Sequence, residues 1–159
     1  LEIGTFSGYA TICLSEGLPP DGEVHTFEVN DEQEDFTRPW LEGRYDHCGM
    51  PPEVFSRIHF HIGDARTLLP ALTTPFDLAF IDGDKRQYIE CYELVMRHMR
   101  PGALIIADNT LWDGHVLEQT PTDHMTQGIQ QFNAHLSQDP RVTPVILPLR
   151  DGLTLIRIK

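Results

Sequence analysis

Two apolar runs that end in acidic residues constrain the fold of this chain more than any other feature. Phe80-Ile81 runs into Asp82-Gly83-Asp84-Lys85, and Ile105-Ile106-Ala107 runs into Asp108-Asn109. An apolar run of strand length without polar alternation is the pattern of a strand covered on both faces, as in a parallel sheet flanked by helices. Neighbouring strands lie about 4.8 Å apart, so Asp82, Asp108 and Asn109 can converge on one point. Three oxygen donors at one point suit a hard divalent cation such as magnesium, with the remaining positions left to water or substrate.

The rest of the chain agrees with such a sheet. Strand-like runs fall at residues 1–3, 24–29, 57–62, 76–81, 103–107, 142–147 and 153–158. Segments of helical spacing separate the first six, which predicts a doubly wound α/β fold with a mostly parallel sheet. The clearest helix has Tyr88, Tyr92, Val95 and Met99 on one face and is expected to end at Arg100-Pro101-Gly102. Ile129, Phe132 and Leu136 mark another. Between the last two strands lie only residues 148–152, too few for a crossover helix, so these strands are expected to form a C-terminal antiparallel hairpin. Residues 32–52 read as a helix followed by a loop.

Length and charge narrow the partners. At 159 residues and 40% apolar composition, the chain fits one domain, residues 1–159. A net charge of -12 and a scarcity of lysine leave no basic stripe for nucleic acid or for an anionic membrane surface. A small molecule is the expected partner. Cys13, Cys48 and Cys91 lack metal-ligand spacing and read as reduced thiols of a cytoplasmic protein. His25, His47, His59, His61, His98, His115, His124 and His135 show no zinc-ligand spacing either. The chain opens in mid-strand, and more sequence is expected ahead of it.

The first strand leads into Glu2-Ile3-Gly4-Thr5-Phe6-Ser7-Gly8-Tyr9, a glycine-containing loop before a helix. The spacing is GxxxG and not the GxGxxG of a dinucleotide pyrophosphate site, which points to a nucleotide-like cofactor without phosphates. A tight strand-to-helix turn explains the loop almost equally well. Glu28, at the end of the second strand, is placed to accept from two ribose hydroxyls. It also precedes Asn30, a helix cap for which Gln33 would complete a capping box. Asp64 and Ala65, after the third strand, could meet an adenine through a carboxylate and a backbone N–H, although Asp64 serves equally as a helix cap.

In this order, the motifs resemble the class I S-adenosylmethionine (SAM) O-methyltransferases, and within them the cation-dependent group that includes the caffeoyl-CoA and catechol enzymes. The resemblance rests on the Glu2-to-Tyr9 loop, on Asp82-Gly83-Asp84-Lys85 with Tyr88, and on Asp108-Asn109-Thr110-Leu111-Trp112. It covers essentially the whole chain. It implies SAM as cofactor, a divalent cation, magnesium, held by Asp82, Asp108 and Asn109, and a vicinal aromatic diol as acceptor. Glu2, Gly4, Thr5, Ser7 and Gly8 would line the methionine end, Glu28 the ribose, Asp64 and Ala65 the adenine, with Asp82 and Asp84 beside the cofactor's amino-acid group. Lys85 matches the proposed base, acting with Asp82 as the catalytic pair. Trp112 and Tyr88 could pack on an aromatic acceptor ring, although ordinary packing is the commoner use of each, and residues 110–123 would help select the acceptor. Family members carry N-terminal helices that this sequence does not show; a homodimer is among the assemblies the resemblance allows. Two competing readings are a metal-dependent phosphate-ester hydrolase and a cofactor-binding domain without turnover.

Overall fold

The computed structural model describes residues 1–45 and 50–159; His47 and Cys48 lie outside the described residues. The chain divides into two compact units, Leu1–Leu72 and Thr73–Lys159. In the first, β1 (Glu2–Ile3), β2 (Val24–Glu28) and β3 (Ile58–Ile62) are parallel, in the order β3-β2-β1. Helix α1 (Tyr9–Glu16) joins β1 to β2, while α2 (Glu34–Leu41) and α3 (Pro52–Ser56) lie between β2 and β3. A short α4 (Ala65–Leu68) follows β3.

In the second unit, β4 (Phe76–Ile81) and β5 (Met99–Asp108) are parallel and joined by α5 (Tyr88–Met96). Helix α6 (His124–Gln138) leads to β6 (Val142–Leu147) and β7 (Leu153–Ile158), an antiparallel pair. Strand β7 is also antiparallel to β5, giving the order β4-β5-β7-β6. This is the predicted α/β class, with mostly parallel strands and a C-terminal antiparallel hairpin.

The helices of the second unit form where their apolar residues share a face. Tyr88, Cys91, Tyr92 and Val95 of α5 are all buried at helical spacing. Asp123 caps α6 by accepting from the Thr126 N–H and hydroxyl, each at 2.8 Å, and α6 buries Ile129, Phe132 and Leu136. Phe132 meets the rings of Tyr88 and Tyr92 edge-on, with centroids 5.3 and 6.0 Å away. Gly128 makes this packing close: a Cβ there would stand 2.4 Å from the Lys85 carbonyl oxygen.

The end of α5 corrects the sequence expectation. The helix stops at Met96 and Met99 already belongs to β5. Arg97 and His98 close the last turn by donating to Leu94 and Val95. Pro101-Gly102 therefore does not terminate the helix; it lies in the exposed start of the strand, near a register shift against β4. Among the described residues, no helix is long and apolar enough to cross a membrane.

Candidate active site

In the first unit, a buried polar cluster fixes the loop after β1. Glu2 is fully buried. Its Oε2 accepts from the hydroxyls of Thr26, at 2.5 Å, and Thr11, and Thr26 shares a 2.6 Å hydrogen bond with Thr5. Buried carboxylates need such partners, because an unmet one costs several kcal/mol. The cluster ties β1, β2 and α1 to the loop at Thr5.

The loop itself has positive φ at Gly4 (98°), Phe6 (44°) and Gly8 (79°). Phe6 is held in that unusual backbone conformation from both sides. Its N–H donates to Glu28 Oε2 at 2.8 Å, and its carbonyl accepts from the Thr37 hydroxyl. Glu28 Oε1 accepts from the Asn30 N–H at 2.9 Å, so Glu28 supplies the partner that Gln33 was expected to give. Asn30 does act as a cap, accepting from the Glu32 N–H. Gly4, Thr5, Ser7, Gly8 and Glu28 thus belong to one braced turn. Each Glu28 oxygen keeps acceptor capacity beyond its backbone bond, as a carboxylate has about four lone-pair sites.

Asp64 and Asp84 are built alike. Each caps the turn that follows it and forks onto the arginine two residues on, Asp64 with Arg66 and Asp84 with Arg86. The arginine lowers the pKa of each carboxyl. Ala65 is buried as the first residue of α4.

In the second unit, Ile81 pairs with Ala107 in parallel register, which brings the next residues, Asp82 and Asp108, out of matching strand ends. Asn109 follows with φ of 56°, a left-handed backbone that asparagine tolerates better than most residues. Its N–H donates to Asp108 Oδ1 at 2.7 Å. Burial raises the Asp108 pKa, the Asn109 N–H works against that, and the negative charge of Asp82 raises it further. The donors are all oxygens and two belong to carboxylates, so they fit a hard cation.

Lys85 is buried beside them. Its Nζ donates to Asp82 Oδ1 at 2.8 Å and to the Tyr88 phenol oxygen at 2.6 Å, and stands 6.0 Å from the centre of the Trp112 ring. Tyr88 follows the packing alternative and not contact with a substrate ring. It is fully buried, and its hydroxyl lies 3.2 Å from the Ile81 carbonyl and 3.0 Å from that of Asp108. Burial, with the charges of Asp82 and Asp108, raises its pKa well above the ordinary phenol value, so it remains a donor to the ends of β4 and β5. The only hint in the sequence is its position one helical turn after Lys85.

These features match known proteins. The O-methyltransferase family model covers residues 1–159. A catechol O-methyltransferase of Niastella koreensis is 34% identical over 100% of this chain and 72% of its own length. Caffeoyl-CoA O-methyltransferase 2 of Zea mays is 32% identical over 99% of this chain and 61% of its own. Among solved structures, an O-methyltransferase from Bacillus cereus in complex with SAH superposes with a TM-score of 0.89 at 32% identity, over 99% of this chain and 72% of that one. TomG, an O-methyltransferase from Streptomyces achromogenes in complex with SAM, gives 0.88 at 30% identity, over 99% and 71%. The chain spans between 55% and 72% of the lengths of its sequence relatives. Matched from residue 1 to residue 159 in sequence and in fold, the chain belongs to the O-methyltransferase family.

Proposed function

We propose that this protein transfers a methyl group from SAM to one hydroxyl of a small vicinal aromatic diol, with a divalent cation, magnesium by preference, held by Asp82, Asp108 and Asn109. The observation that carries this reading is the position of Asp82 and Asp108 directly after the register pair Ile81 and Ala107 of β4 and β5, with the buried Lys85 bonded to Asp82. Relatives named for catechol and caffeoyl-CoA, and neighbours bound to SAM or SAH, support it. Among the described residues, Cys13 and Cys91 are not joined in a disulfide, and we assign the protein to the cytoplasm on the pattern of its cysteines.

Methyl transfer from a sulfonium is an in-line displacement, so the chain's task is to place a nucleophilic oxygen and take its proton. Asp82, Asp108 and Asn109 would hold the cation, which would supply Lewis acidity that favours ionisation of the acceptor hydroxyl. Lys85 Nζ, oriented by Asp82 and Tyr88, acts from its neutral amine form: its lone pair takes the hydroxyl proton and the residue leaves the step as an ammonium. Glu28 accepts from the ribose hydroxyls, while Gly4, Thr5, Ser7 and Gly8, with Glu2 behind them, shape the turn for the methionine end. Asp64 and Ala65 take the adenine, and Asp82 and Asp84 the cofactor's amino-acid group. Trp112 and residues 110–123 contact the acceptor, and residues 1–159 act as a single functional domain.

Asp108→Ala separates the parts of this reading. SAH binding measured by calorimetry is expected to persist, while binding of manganese, followed by electron paramagnetic resonance, and turnover are lost. Unchanged manganese binding would remove the proposed metal role.

A further inference from the structure

Apart from these clusters, three histidines meet on one face of the first unit's strands. Register partners on parallel strands share a face, and here His25 of β2 is opposite His59 of β3, with Phe27 opposite His61. The rings stack, with centroids 4.5 Å apart for His25 and His59, 5.3 Å for His25 and His61, and 4.6 Å for Phe27 and His61. Helix α2 packs on the opposite face, where Arg38 lies over the ring of Phe60. Glu23, immediately before β2, adds a carboxylate. Its Oε2 is 3.7 Å from His25 Nε2 and 3.5 Å from His59 Nε2, and one donor atom from each of the three residues lies within 4.8 Å of the others.

These separations are close to those around a tetrahedral metal. With zinc bonds of about 2.0–2.1 Å, adjacent ligand atoms stand roughly 3.3 Å apart. Closing the site requires the His59 ring, stacked at 17° to the plane of His25, to turn out of the stack so that the two Nε2 lone pairs converge; the side chains of Glu23 and His59, 61% and 42% exposed, leave room for that turn. His25 is better held. Its Nδ1 lies 3.0 Å from His61 Nε2, which leaves Nε2 as the atom directed at Glu23. A metal-ligating histidine is ordinarily oriented in this way, through a hydrogen bond at its other nitrogen.

The comparable group Glu93, His135 and Asp139 in the second unit differs in its chemistry. There Arg141 already meets both carboxylates, at 2.6 Å each, so the charge a metal would satisfy is taken.

We propose that Glu23, His25 and His59 form a second metal site, for zinc or a similar borderline transition cation, with His61 as the residue that orients His25. Two imidazoles and one carboxylate favour such a cation, whereas the all-oxygen set of Asp82, Asp108 and Asn109 favours a harder one. The fourth position is left to water. A cation held there links β2 to β3 and binds the folded chain only.

Calorimetric titration of the metal-free protein with zinc tests this, together with cobalt binding followed by visible absorption. One tight zinc equivalent is expected, with the absorption of tetrahedral cobalt and no thiolate-to-cobalt charge transfer. Asp108→Ala is expected to retain that equivalent. His61→Phe should weaken it about 10–100-fold, the usual effect of losing an orienting partner, and His59→Ala should weaken it further. Unchanged thermal unfolding of His59→Ala without zinc would show that the variant folds. Equal zinc affinity in wild type and His59→Ala, loss of the equivalent in Asp108→Ala, or a thiolate band in the cobalt spectrum would each overturn the proposal.

Discussion

Lys85 Nζ donates an N–H to the phenol oxygen of Tyr88 at 2.6 Å, and that phenol in turn reaches the carbonyls of Ile81 and Asp108. One hydroxyl therefore links the proposed base to the two strand ends that carry Asp82 and Asp108. Tyr88→Phe keeps the ring but removes this link. Leaving Lys85 and two carbonyls short of a partner is expected to cost about 1–3 kcal/mol of stability. Turnover should fall about tenfold or more, since roughly 1.4 kcal/mol at the transition state corresponds to a factor of ten. Affinity for SAM should stay unchanged. Urea unfolding and a comparison of kcat with KM check both parts; a large rise in KM for SAM with kcat intact would contradict the assignment.

Gly128→Ala places a methyl group 2.4 Å from the Lys85 carbonyl oxygen and 3.0 Å from the Arg86 Cα. The neighbours are backbone atoms and cannot rotate away. Overpacking of this kind costs about 1–3 kcal/mol, which outweighs the gain of up to about 1 kcal/mol from alanine in a helix. The variant is expected to unfold at lower urea and to lose activity, because α6 would push on the turn that holds Lys85. A more stable variant would show that α6 yields freely.

Stability is expected to fall on mild acidification through His25. Burial, with His59 and His61 adding to it, lowers the His25 pKa from 6.5 to about 4, so between these values the unfolded chain takes up a proton that the folded chain refuses. The contribution is intact above pH 6.5 and is lost as pH falls towards 4. With the side chain 16% exposed, its full extent is roughly 3 kcal/mol. Urea midpoints at pH 7.5, 6 and 4.5 follow it, and His25→Asn should flatten the slope over this window.

Glu28→Ala removes the acceptor of the Phe6 and Asn30 N–H groups together with the proposed ribose contact. SAH affinity is expected to fall about 10–100-fold, the equivalent of one charge-assisted hydrogen bond or somewhat more. Calorimetry decides it, and wild-type affinity would place the ribose elsewhere.

The strand ends were legible in the sequence because an apolar run that stops at a carboxylate reports burial and its limit together. The GxxxG loop was legible for a related reason, since left-handed backbone at Gly4 and Gly8 leaves a glycine signature. The end of α5 was not. Pro101-Gly102 is a local stop signal, but the chain had already turned at His98 and continued as strand, which only pairing with β4 decides. Tyr88 read as an aromatic contact because its hydroxyl's partners come from two other strands. The histidines appeared scattered for the same reason: His25 and His59 become neighbours only through the register of β2 with β3.

The central claim is cation-dependent methyl transfer, and its most direct test is turnover of SAM with a simple 3,4-dihydroxyphenyl acceptor, first with magnesium and then with a chelator. Methylated product is expected with magnesium, none with the chelator, and recovery when magnesium is restored in excess. Product formed at the same rate in the presence of the chelator would contradict it.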